Sequence, residues 1–189
     1  KILYIFLPYL LFVTLLMKQP DFGTTILITM VMLGQLFIAG LNNTIIIICL
    51  ILLVLLCIAA YIFLPHVALR INYYLSPEKQ NYQIQKSFEA IKQGGITGKG
   101  PGEGSIKDYL PDSHTDFIFA VAAEELGIIF CIFIVILFLI IVIRSLLRIM
   151  NETNIFLIYA VFGLVIQLGL QAFINMAVVL DLLPTKGIT

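Results

Sequence analysis

GGITGKGPGEGSIKDYLPDSHTDFIFAVAAEELG, residues 94–127, holds seven of the thirteen glycines and much of the charge, and it runs directly into an apolar helix. The sequence on either side reads as membrane scaffold. Within this stretch Asp116 is the last acidic group before Phe117 opens a hydrophobic run that must bury itself. That order puts a carboxylate at a boundary between water and lipid, and Asp116 is the candidate for chemistry.

The composition supports the membrane reading. The chain is 61% hydrophobic and only 12% charged, with a mean hydropathy of +1.08, far outside soluble usage. A net charge of zero argues against a nucleic-acid partner, which would call for a basic patch. Trp is absent, so the eight Tyr are left as interfacial anchors. Cys49, Cys57 and Cys131 lie inside apolar runs and are odd in number, the pattern of small packed hydrophobes rather than of a disulfide framework. The chain opens on Lys1 and stops in a polar segment just after Lys186, so the sequence reads as a piece of a longer protein.

A helix that crosses a bilayer needs roughly 20 mostly apolar residues. Five segments meet or approach that length, at 2–17, 24–40, 44–64, 117–143 and 154–183. The expected fold class is therefore all-α, a polytopic transmembrane helical protein. Residues 65–116 form the one sizeable aqueous segment. Inside it Ile84, Phe88 and Ile91 recur at i, i+4 and i+7, with Gln85, Lys86, Glu89 and Lys92 on the other face. This periodicity predicts a short amphipathic helix, ended by Gly94 and Gly95. Alternating spans put Lys1, Arg144 and Arg148 on one side and the other eight of the eleven Lys and Arg on the side of the long loop. The positive-inside rule alone would then place that loop in the cytoplasm.

Several polar groups inside or beside the spans could carry function. Glu124 and Glu125 are costly in lipid and so should face protein. On a continuous helix Glu124 lies about 12 Å beyond Asp116 and roughly 80° around, which would let it share a cavity with Asp116, while Glu125 points away. Interhelical hydrogen bonding accounts for the pair equally well. Gln167, Gln171 and Asn175 form an i, i+4, i+8 stripe on the last span, a pattern suited first to helix packing and second to lining a substrate path. The glycine series has neither a preceding strand nor a GK[ST] ending, which argues against a nucleotide P-loop and leaves a flexible backbone that folds over a substrate or a plain linker. Thr115 or Asp116 could cap the following helix, and an ionised Asp116 could equally serve as a general base for a sugar hydroxyl. Lone His114 has no metal-ligating cluster around it in sequence.

YQIQKSFEAIKQGGITGKG, then LPDSHTDFIFAVAAEELG, then NMAVVLDLLPTKGIT, with the earlier QPDFGTT, together resemble the SEDS family (shape, elongation, division and sporulation). The likeness runs over nearly the whole chain in order and spacing. Ser105 and Lys107 ahead of the LPDSHTD block make it more similar to the cell-division, FtsW-like branch than to the elongation, RodA-like branch. Asp112 stands where many members carry Glu.

The resemblance implies a bacterial inner-membrane protein of about ten spans, five of them in this chain, with residues 65–116 as a large periplasmic loop; on that ground the charge count is set aside. It also implies a peptidoglycan glycosyltransferase that polymerises lipid II on its undecaprenyl diphosphate carrier during septal cell-wall synthesis. Asp116 would be the catalytic carboxylate, and Lys186, Arg70, His114, Thr115, Glu124 and Asp21 the candidate substrate-binding residues. Lys186, Arg70 or a divalent cation such as Mg or Mn would neutralise the leaving diphosphate, and no nucleotide is required. The implied partners are a class B penicillin-binding transpeptidase and other membrane proteins of the division machinery. A lipid II flippase and a scaffold for that transpeptidase are the competing readings.

Overall fold

The computed structural model describes residues 3–19, 21–75, 82–110 and 113–183. Among these residues every regular element is helical: α1 (Leu3–Lys18), α2 (Phe22–Ile38), α3 (Asn43–Phe63), α4 (Pro65–Leu75), α5 (Tyr82–Gly94), a short 3-10 turn at Lys107–Tyr109, α6 (Ile118–Ile149) and α7 (Ile155–Val179). Three helices are long and apolar enough to cross a membrane, Thr44–Phe63, Ile118–Ile149 and Ile155–Val179. Helices α1 and α2, of 16 and 17 residues, fall just short. The apolar surface is turned outward: Leu7, Leu10, Ile51, Leu52, Ile62, Phe133, Ile140 and Leu164 are all exposed. A soluble protein could not sustain this, and a helix apolar on all sides, as α3 is, belongs in lipid or between other spans.

The amphipathic helix expected near residues 84–91 is α5. Ile84, Ser87, Ala90 and Gly94 form its buried face, which packs on α6 and α7. Ser87 contributes a hydroxyl to this seam and satisfies it on its own helix, donating to the Gln83 carbonyl at 2.8 Å. The long segment between α3 and α6 also contains α4, which the apolar periodicity did not indicate. It packs on α3, where the Tyr61 hydroxyl donates to Asn72 Oδ1 at 3.0 Å.

The largest departure from the sequence reading lies within α6. Gly127 has φ 81 and ψ 174, so the helix is broken there rather than continuous through the apolar run. The chain reverses at the break. Cys131 Sγ lies 3.9 Å from the carbonyl oxygen of Phe119, whereas twelve residues of unbroken helix would separate them by about 18 Å. Residues 118–126 therefore form a short arm folded back alongside a long arm, residues 128–149. At 1.5 Å per residue the long arm alone is roughly 33 Å long, enough to cross a hydrocarbon core of about 30 Å.

A reversal leaves carbonyls at the end of one arm and amides at the start of the next without helical partners. The glycine-rich loop supplies them. Lys99 N–H donates to the Glu124 carbonyl and Gly100 N–H to the Glu125 carbonyl, both at 3.0 Å, while Ile128 N–H donates to the Gly95 carbonyl at 3.0 Å and Ile129 N–H to that of Ile96 at 3.4 Å. Backbone meets backbone here, and two glycines make the approach possible. A Cβ on Gly127 would stand 2.3 Å from the Ile96 oxygen, and one on Gly98, whose φ is +80, would stand 2.2 Å from the Glu125 oxygen.

Gly127→Ala is thus expected to cost about 1–3 kcal/mol from the backbone conformation alone, with more from the clash. The loss is read as a lower unfolding midpoint of detergent-solubilised protein. An unchanged midpoint would contradict the close approach.

Candidate functional site

The short arm of α6 is enclosed by its surroundings. Phe117 and Ala120 share one buried cluster with Ala90 of α5, Ile106 and Leu110 of the loop, and Val178 and Val179 at the end of α7. Asp116 immediately precedes this cluster. Its backbone carbonyl accepts a hydrogen bond from Asn175 Nδ2 at 3.0 Å, so the third amide of the α7 stripe ties α7 to the start of the short arm. Asp116 is half-buried, and among the described residues its carboxylate makes no hydrogen bond or ion pair.

The capping role considered for Thr115 or Asp116 is not what the structure shows. The N-cap of α6 is Phe117, with no side-chain hydrogen bond to the first turn. The short arm starts within a run of turns, one residue later than the HTD pattern suggests, and its first turn is held by packing of Phe117 instead. Asp116 is consequently not engaged in closing the helix.

Beside Asp116 lies a groove of about 310 Å³ between the two arms of α6 and α7. Ile118 and Ala122 of the short arm, Ile134 and Phe138 of the long arm, and Gln171 and Asn175 of α7 are among its walls. The reversal at Gly127 creates it, because residues 118 and 138 could not face one small space on a continuous helix. The groove is apolar except for the two amides. Cys131, placed in the sequence among packed small hydrophobes, is buried where the arms meet.

Glu124 does not line this groove. Its side chain is 0% exposed and turns toward the glycine-rich loop, where Oε1 pairs with Lys99 Nζ at 2.9 Å and accepts from Ser105 N–H at 2.9 Å and Ile106 N–H at 3.1 Å. Lys99 also donates to Gln93 and to Ser105 Oγ. Removing one member of a buried ion pair costs about 3–5 kcal/mol; Lys99 keeps 29% exposure, which puts this pair below that range. Glu125, on the other side of the arm, pairs with Lys107 at 2.6 Å.

The remaining candidates are dispersed. The Asp21 carboxylate caps α2, accepting from Thr24 N–H at 3.0 Å and Thr24 Oγ1 at 2.6 Å. His114 and Thr115 are exposed in the turns before α6. Arg70 lies on α4 with its side chain outside the described residues, and Asp112 and Lys186 also lie outside them. Among the described residues no three His, Cys, Asp or Glu side chains converge. They thus provide no preformed cage for a divalent cation.

The sequence reading missed Gln35, whose Nε2 donates to the Tyr159 carbonyl at 3.1 Å and joins α2 to α7. Its position in an otherwise apolar helix was the available signal. Asn175→Ala is expected to lower stability by about 0.5–1.5 kcal/mol, the worth of one hydrogen bond. Gln167→Ala, at an exposed position of the same stripe, should change it by less than about 0.5 kcal/mol. Equal losses at both sites in denaturant unfolding would contradict a specific bond at Asn175.

Comparison with known proteins assigns the family. The family model described as cell cycle protein, FtsW/RodA/SpoVE, matches residues 1–189. Over 201 residues the chain is 41% identical to the "Probable peptidoglycan glycosyltransferase FtsW" of Caulobacter vibrioides, covering 97% of this chain and 47% of that protein. It is 38% identical to the protein of the same name from Coxiella burnetii over 93% of this chain and 49% of the relative, and 37% identical to that of Geobacter metallireducens over 97% and 51%. The chain spans about half the length of these curated relatives. A match along its whole length and identities near 40% over nearly all of it make this chain a member of the FtsW/RodA/SpoVE family.

Proposed function

We propose that this chain carries the catalytic carboxylate of a peptidoglycan glycosyltransferase that polymerises lipid II during cell division. The relatives' name supports the reaction class. The observation that carries the assignment to a residue is Asp116 itself: an acidic side chain without a partner among the described residues, whose backbone is tied to Asn175, a wall residue of the groove between both arms of α6 and α7. An ionisable group left without a partner inside a membrane protein is a functional group by default.

In this reading Asp116 is the general base. It takes the proton of the acceptor sugar hydroxyl as that oxygen bonds to the anomeric carbon of the donor. The bond from that carbon to the diphosphate breaks, and undecaprenyl diphosphate departs with the bonding pair. Both substrates are anchored in one membrane, so a base held at the edge of an apolar groove reduces the search to two dimensions and one orientation. Positive charge at the leaving diphosphate is assigned to Arg70 or Lys186, with His114 and Thr115 beside the base. The topology that fits is five spans of a roughly ten-span inner-membrane protein, with residues 65–116 on the periplasmic side. A class B penicillin-binding transpeptidase is the expected partner in the division machinery.

Polymerisation of lipid II supplied in detergent tests this without any requirement for lipid flipping. In the full-length protein with its partner, Asp116→Asn is expected to reduce glycan synthesis by about 10²–10⁴-fold, the usual worth of a general base, while folding is retained. Undiminished synthesis by that variant would overturn the assignment.

A further inference from the structure

We propose that Glu124 is a positioning residue for Asp116, holding the short arm of α6 in the place from which Asp116 can act; the proposal rests on the reading of Asp116 as the base. Glu124 sits eight residues beyond Asp116, at the far end of the same arm. Its carboxylate gathers three donors from a single loop: Lys99 Nζ, Ser105 N–H and Ile106 N–H. Ile106 then places its side chain, 4% exposed, in the cluster that contains Phe117. The arm is thus held at both ends by one loop. At one end the loop binds the Glu124 side chain and carbonyl, and at the other it packs on the residue that follows Asp116.

A neutral residue could fill the same volume, so packing alone does not call for a carboxylate here. The loop does. Two amides and an ammonium converge on one point, and a buried anion is the group that satisfies all three together. The backbone exchange at Gly127 ties the same loop to the short arm through the Glu124 and Glu125 carbonyls and to the long arm through the Ile128 and Ile129 amides, so the loop is the joint between the two arms. Without the anion, Lys99 and the loop amides turn to water, and the short arm keeps the backbone bonds at its Gly127 end while its Asp116 end shifts.

The test uses the full-length protein with its partner and lipid II in detergent. Glu124→Gln keeps size and an acceptor oxygen; Lys99→Met removes the opposite charge from the more exposed side. Each is expected to lower kcat about tenfold or more with KM for lipid II within about threefold, because the base is displaced while the substrate groove persists. The double variant should be no worse than the poorer single one, and Lys99→Arg should retain activity within about threefold. A second readout is independent of catalysis: maleimide labelling of an Asp116→Cys variant in which Cys49, Cys57 and Cys131 are alanine. Adding Glu124→Gln or Lys99→Met should change the labelling rate at least about fivefold, since accessibility follows the opening of the arm.

Labelling rates within about twofold and kcat within about threefold in folded variants would overturn the positioning role, and if Glu124→Gln does not fold, Lys99→Met decides. Full activity of Asp116→Asn would instead remove the base assignment, while the labelling result would still report whether Glu124 holds the arm.

Discussion

Four backbone hydrogen bonds at Gly127 are what the rest of the structure depends on. A reversal leaves the amides and carbonyls of a helix without their own partners, and buried ones must find others, so the break holds where protein takes over the lost bonds. Residues 95–100 do this, giving two donors to one arm of α6 and two acceptors to the other. The glycines of that loop are best understood as the condition for backbone to reach backbone. A flexible linker or a phosphate cradle, the two other uses of such a series, would not need Gly98 to lie against the Glu125 carbonyl.

The reversal brings Asp116 into contact with α7. Because the short arm runs back along the long one, Asp116 lies beyond the level of Cys131, recessed from Gly127 by roughly 6 Å or more, and next to a groove that a straight helix could not form. Asn175 fixes the Asp116 carbonyl from α7, and the Phe117 cluster fixes the next residue from α5 and the loop. The carboxylate is left as the group at this junction that nothing in the described fold employs. Charge follows the same division of labour. Glu124 and Glu125 are spent on Lys99 and Lys107 to hold the loop, and Asp21 is spent on closing α2.

Much of this architecture was legible in the sequence. Hydropathy found the long helices because lipid demands unbroken apolar runs; the i, i+4, i+7 pattern located α5 but not its buried face, which is Ile84, Ser87, Ala90 and Gly94 with Phe88 exposed, because small residues rather than large ones let α6 come close. The break at Gly127 was not legible. Glycine is common in membrane helices, the surrounding run stays apolar, and the partners that make the break possible lie about thirty residues upstream. Placing Glu124 by helical arithmetic from Asp116 failed for a related reason: its direction is set by three donors on another segment, which no periodicity within α6 reports. Asp21, expected among the substrate-binding residues, caps α2 instead, while Thr115 and Asp116, the expected caps, leave that place to Phe117, because cap-like residues are common just outside helices and packing decides which are used.

Everything at the site follows from α6 folding back at Gly127, which brings Asp116 next to a groove. Nitroxide labels at residues 118 and 138, in full-length protein with its native cysteines replaced, measure this directly by their separation. A continuous helix would hold the two backbone positions about 30 Å apart. With the arms folded back the expected distance is less than about half that, since both residues face one groove of about 310 Å³. A separation near 30 Å would contradict it, and with it the groove and the placement of the carboxylate.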